Sequence, residues 1–80
     1  MKEKFILKQS EILFEDGEPK IRYCGFFEGT DENYCFDVFF ELWNQIYYEY
    51  DGNEELTDDA CVQYAMNLRG HNNIQIERSL

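Results

Sequence analysis

Phe36-Asp37-Val38-Phe39-Phe40-Glu41-Leu42-Trp43-Asn44-Gln45-Ile46-Tyr47-Tyr48-Glu49-Tyr50 is the stretch on which the fold turns. Phe36, Phe39, Phe40, Trp43, Tyr47 and Tyr50 recur at helical spacing. Asp37, Glu41, Asn44, Gln45 and Tyr48 form a polar stripe on the other side. A period of two also runs through the segment, because Tyr34, Phe36, Val38, Phe40 and Leu42 alternate. The polar stripe decides for a helix over 37–50. Asp37 is its expected N-cap, and Glu41 lies near the positive end of its dipole.

Downstream, Asp51-Gly52-Asn53 breaks that helix and Leu56-Thr57 opens a second. Thr57 is the expected cap, Asp58 and Asp59 fill the first turn, and Leu56 is placed to staple onto Cys61. Cys61, Tyr64, Ala65 and Leu68 make the expected buried stripe, and Gly70 the stop. Ile74 and Ile76 mark a last strand over 73–78.

Upstream, residues 4–15 alternate loosely and read as a strand bent near Ser10. Glu15-Asp16-Gly17-Glu18-Pro19 is a turn in which Gly17 takes positive φ and Pro19 ends the connection. Residues 20–28 form the second strand of a hairpin. Gly29-Thr30-Asp31-Glu32-Asn33 turns the chain again, and Tyr34-Cys35-Phe36 is a short third strand. The expectation is a single α+β domain over residues 1–80, ordered β-β-(β)-α-α-β. Its small antiparallel sheet, of three or four strands, carries two helices on one face.

Eighty residues hold one core, and fourteen aromatic side chains are enough to build it compactly. Seventeen Asp and Glu oppose seven Lys and Arg, for a formal charge of −10. That balance argues against direct binding of nucleic acid or an anionic membrane, and for basic partners. No stretch is apolar and long enough to span a bilayer. Cys24, Cys35 and Cys61 are widely spaced and lack any C-x-x-C pair, which points to reduced thiols in a cytoplasmic protein.

The distribution of charge is the distinctive feature. Between Arg22 and Arg69 lie forty-six residues without Lys or Arg, although they contain eleven acids. Average composition would place about five or six basic residues there. Asp37, Glu41, Glu49, Asp51, Glu54, Glu55, Asp58 and Asp59 are the candidate contact residues of an acidic ridge, with Tyr48 as an aromatic anchor. Carboxylates along such a ridge imitate a row of phosphates, and Arg pairs with both in similar geometry.

Other constellations carry less. Asp51, Asn53, Glu55, Thr57 and Asp59 fall at odd positions of an EF-hand-like loop, but Leu56 replaces its essential Gly and Val62 its bidentate Glu. His71 is the sole histidine, follows Gly70, and reads as a turn residue. Cys61 sits on an apolar stripe, where thiols are inert. There is no Gly-rich phosphate loop. The sequence therefore points to a non-enzymatic binding domain without cofactor or metal.

The acidity, size and mixed topology resemble those of phage-encoded anti-CRISPR and anti-restriction inhibitors. The run Trp43-Asn44-Gln45, Tyr48-Glu49-Tyr50-Asp51 and Glu54-Glu55 is similar to an acidic helix–loop of a small Cas9-inhibiting anti-CRISPR, over about a dozen residues. The resemblance implies a protein that acts in a host cytoplasm by occupying the nucleic-acid groove of a basic nuclease, CRISPR effector or restriction-type enzyme. Immunity proteins of basic nuclease toxins share that physical logic. The alternative is a structural or assembly subunit, with a homodimer in view and acidity serving solubility alone.

Overall fold

The computed structural model describes residues 3–79 as a four-stranded sheet with two helices. The elements are β1 (Lys4–Glu15), β2 (Glu18–Phe27), β3 (Tyr34–Phe39), α1 (Phe40–Glu49), α2 (Glu54–Leu68) and β4 (Gln75–Arg78). The α+β class and the element order are those expected from the sequence.

β1 and β2 form the expected antiparallel hairpin, closed by Asp16 and Gly17, both at positive φ. Two successive positive φ values match the right-handed twist of the strands, which is why an Asp-Gly pair sits there. The register slips between Leu7 and Gln9. That irregularity realises the bend expected near Ser10. Pro19 is not the end of the connection but lies within β2, opposite Phe14. It costs no ladder bond because β3 pairs only with Lys20 onward.

The sheet order is β3-β2-β1-β4. One expectation is corrected here: β4 runs parallel to β1, from Lys4↔Gln75 to Leu7↔Arg78, so the sheet is mixed rather than wholly antiparallel. The two helices form the crossover that returns the chain to the far edge, and such crossovers are what parallel pairing requires.

β3 is longer than expected, and α1 correspondingly shorter. Both periodicities in the 36–50 stretch are used in succession. Phe36 and Val38 alternate into the core as strand residues, and helix starts only at Phe40. Asp37 is therefore a strand residue, not an N-cap; Phe39 occupies the cap position without a side-chain hydrogen bond. α2 begins one turn earlier than expected. Asn53 Oδ1 accepts the Leu56 N–H at 3.0 Å and caps it, while the fully buried Thr57 donates its hydroxyl to the Asn53 carbonyl.

Phe5, Leu7, Ile21, Tyr23, Phe36 and Val38 from the strands meet Cys61, Val62, Ala65 and Met66 of α2 in one core. The buried stripe of α2 thus runs through Thr57, Cys61, Val62, Ala65 and Met66. Tyr64 and Leu68 face out, and Leu56 is too exposed to staple. α1 has no fully buried residue. Its Phe40, Leu42, Trp43 and Ile46 pack half-buried against the core, while Phe39 and Tyr50 are exposed. Gly70, at positive φ, ends α2 as expected. Among the described residues no helix is long and apolar enough to cross a membrane.

Cys24 and Cys35 correct the reduced-thiol expectation. They stand directly opposite on β2 and β3 and are joined as a disulfide. A hairpin centred on Gly29–Thr30 brings them together although the sequence spacing looks unrelated. Cys61 is the free, buried cysteine, and burial beside the Asp58 charge pushes its thiol up to about 11. Alkylation followed by mass spectrometry should label no thiol in the native protein, Cys61 alone in denaturant, and all three after reduction. Labelling of Cys24 or Cys35 before reduction would contradict the pairing.

Candidate functional site

The nine residues anticipated as a ridge separate into three groups. Asp37 belongs to none of the helix surface. It lies on the sheet face away from the helices, where its carboxylate accepts two bonds from the Arg22 guanidinium, at 2.7 and 3.0 Å. The directly opposed, two-pronged pair holds the Asp37 carboxyl below the usual 3.8. Its contribution to stability is present at neutral pH and is lost only as pH falls through that lowered value. Arg22 reaches Glu15 as well, at 3.7 Å. A neutralised carboxylate on the opposite face cannot belong to the ridge.

Asp58, Asp59 and Glu55 make the second group, and they are occupied with holding the fold. Asp58 Oδ1 accepts the Tyr23 hydroxyl at 2.7 Å and the Trp43 indole N–H at 2.9 Å. Tyr23 is fully buried on the sheet, so its hydroxyl needs this partner; burial and the Asp58 charge raise its pKa strongly. Asp59 accepts from Arg78 at 2.9 Å, and Arg78 also donates to the Glu55 backbone carbonyl. Burial raises the Asp59 pKa, with Arg78 opposing the shift. The Glu55 carboxylate stands 3.9 Å from Arg78. These contacts pin α2 to the sheet and to β4.

Glu41, Tyr48, Glu49, Asp51 and Glu54 form the third group. All are exposed, and among the described residues none of the four carboxylates has a cation within ion-pair distance. Tyr48 is 80% exposed, as the polar stripe requires. Asp51 and Gly52, both at positive φ, turn the chain tightly between the helices. Four residues separate Glu49 at the end of α1 from Glu54 at the start of α2. Glu41 is at the other end of α1, about 12 Å away along a helix rising about 1.5 Å per residue. There it shares a recess with Glu18 and Pro19.

Helix electrostatics account for some of these acids and not others. Glu41, Glu54 and Glu55 sit in first turns, where the dipole favours them. Glu49 is in the last turn of α1, where the exposed carbonyls already carry negative charge, and Asp51 follows immediately. Neither helix has a basic residue in its last turn. Glu49 is therefore the acid of this junction that stands against the local preference.

Beside this junction is a cleft of about 310 Å³ whose walls include Ile12, Phe40, Trp43, Glu54 and Asp58. Trp43 stacks on Tyr47, their ring centroids 4.9 Å apart, so the indole is held rigidly. An indole beside two carboxylates can receive the aliphatic stem and cationic head of an Arg or Lys side chain. Sequence reasoning placed Trp43 on the apolar stripe of its helix and did not anticipate this wall. The signal was Ile12 on β1, an apolar hairpin residue too far along the strand for the helices to cover; it is 58% exposed.

The described residues offer no cluster of three or more His, Cys, Asp or Glu side chains arranged for a metal ion. His71 follows Gly70, meets Glu3 at 3.1 Å and lies against Phe27.

The division into structural and exposed acids predicts opposite responses to truncation. Asp58→Ala strands the Tyr23 hydroxyl and the Trp43 N–H and should cost about 3 kcal/mol in denaturant unfolding. Glu49→Ala should stay within about 0.5 kcal/mol. Equal losses in the two variants would overturn the division.

Comparison with family models, curated proteins and solved structures finds no match to this chain.

Proposed function

We propose that the protein is an acidic inhibitor that binds a basic, nucleic-acid-binding protein and blocks its access to DNA or RNA. The partner class is a nuclease, CRISPR effector or restriction-type enzyme. The observation that carries this reading is the α1–α2 junction, where Glu49, Asp51 and Glu54 stand exposed without cations among the described residues. Glu49 opposes the helix dipole, so local stability does not explain it. Tyr48 on the neighbouring turn supplies a large, amphipathic contact of the kind that anchors interfaces. The cleft beside Trp43 suits a partner's Arg or Lys.

Inhibition in this scheme needs no chemistry. The carboxylates occupy the Lys and Arg side chains that would grip phosphates, and the domain's bulk excludes the nucleic acid. Association is fast at low ionic strength and falls steeply as salt screens the exposed charges. The Arg22–Asp37 and Arg78–Asp59 pairs contribute little, because their charges are already matched.

The test is capture from host lysate at low and high salt, with the bound proteins identified and competed by duplex DNA or RNA. A nucleic-acid-binding protein, released by salt and displaced by nucleic acid, is the expected result. Glu49→Lys with Glu54→Lys should weaken that binding at least about a hundredfold, the scale of desolvated charge reversals, while circular dichroism stays unchanged. Retention of binding by the reversed variant, or recovery only of the chain itself or of other partners that ignore salt and nucleic acid, with no salt-released nucleic-acid-binding protein among them, would overturn the reading.

A further inference from the structure

The two edges of the sheet differ. β4 is four residues long, and Arg78 at its end is engaged by the acids of α2. β3 is a six-residue edge with nothing beyond it in the sheet. Its register against β2 shows which backbone groups are left over. Cys24 and Cys35 face each other with Cα atoms 4.2 Å apart, the close spacing of a non-hydrogen-bonded pair. Residues at that position, and every second one along the strand, aim their N–H and C=O away from the neighbouring strand. Cys35 and Asp37 therefore direct their backbone groups out of the sheet. No turn, loop or cap bond among the described residues takes them.

The side chains along this edge are apolar. Phe39, Tyr64 and Leu68 are 58%, 49% and 70% exposed. They flank a groove of about 390 Å³ floored by Val38, Leu42 and Ala65. The charged residues of the groove, Asp37 and Arg69, have opposite signs, and Asp37 is already bonded to Arg22. On a protein of charge −10 this face is close to neutral. A basic partner finds nothing to hold here. A second copy of the chain, repelled by every acidic surface, finds its least unfavourable approach here.

We propose that the β3 edge, with Tyr64 and Leu68 of α2, is the interface of a two-fold homodimer in which β3 pairs antiparallel with β3 of the second copy. The register with Phe36 opposite Phe36 sets Cys35 against Asp37 of the second copy and the reverse. Both residues have outward backbone groups, so the two pairs close four hydrogen bonds. The same register keeps the two Asp37 side chains from facing each other, whereas pairing centred on Asp37 would oppose them directly. The two-fold also brings the exposed Tyr64 and Leu68 of each α2 alongside those of the other, as an isologous contact requires. The result is a continuous eight-stranded sheet that leaves both acidic junctions outside the interface.

Sedimentation velocity over a wide concentration range tests the assembly. The expected result is a concentration-dependent dimer that salt does not dissociate, since screening removes the repulsion between two −10 chains. Tyr64→Glu with Leu68→Glu, both at exposed positions, should weaken dimerisation at least about tenfold with unchanged circular dichroism. Exchange of the Cys35 and Asp37 amides should slow as concentration rises. A monomer at every concentration would overturn the proposal, as would a dimer that is indifferent to both substitutions and leaves those two amides freely exchanging.

Discussion

Three elements converge on the Asp58 carboxylate. It rises from α2, takes the hydroxyl of Tyr23 from the centre of the sheet, and takes the indole N–H of Trp43 from α1. α2 is fixed independently by its buried Cys61, Val62, Ala65 and Met66. α1 is not, because none of its residues is fully buried. The placement of α1 therefore rests on half-buried rings and on this shared oxygen. The Asp51–Gly52 turn and the acids around it are held only as firmly as the two helices are held together. In this way a polar contact inside the protein governs the geometry of the charged surface outside it.

Charge is sorted across the molecule. Lys20 and Arg22 occupy the sheet face away from the helices, where Glu15 and Asp37 answer them. Lys4 is matched by Glu28 and Glu77, and Arg78 by Asp59 and Glu55. What remains unanswered among the described residues is divided between the helix side, at Glu41, Glu49, Asp51 and Glu54, and the strand hairpin and turns, at Glu11, Asp16, Glu18, Asp31 and Glu32. In the proposed function, the helix-side share of that charge is the part that steers a basic partner to the α1–α2 junction. The β3 edge is close to neutral by comparison, which leaves room for the proposed dimer beside the proposed partner contact.

The hairpin, the Gly17 and Gly70 punctuation, both helices and the last strand were legible in the sequence because each rests on local rules, periodicity and turn chemistry, although both helix N-caps fell elsewhere, at Phe39 and Asn53. Apart from the start of α2, where Asn53 rather than Thr57 is the cap, the errors came from non-local facts. Phe36 and Val38 fit either period, and only pairing with Tyr23 and Ile21 of β2 makes them strand residues. Cys24 and Cys35 meet because of a register, which the centre of the turn at Gly29–Thr30 sets. The parallel direction of β4 depends on where the helices deliver the chain. For the ridge, sequence counts carboxylates but does not distinguish Asp58, which receives two internal donors, from Glu49, which receives none. Asp37 looked like a cap because its partner Arg22 is fifteen residues away. Tyr48 and the junction acids were legible because exposure on a helix follows from spacing alone.

In the proposed function the contact surface is the α1–α2 junction and not the acidic composition at large. Carbodiimide labelling of carboxylates, compared between the free protein and its complex with the captured basic partner, tests it most directly. Glu49, Asp51 and Glu54 should lose reactivity in the complex, while Asp31 and Glu32 in the turn before β3 keep theirs. Protection of Asp31 and Glu32 with an unprotected junction would contradict it.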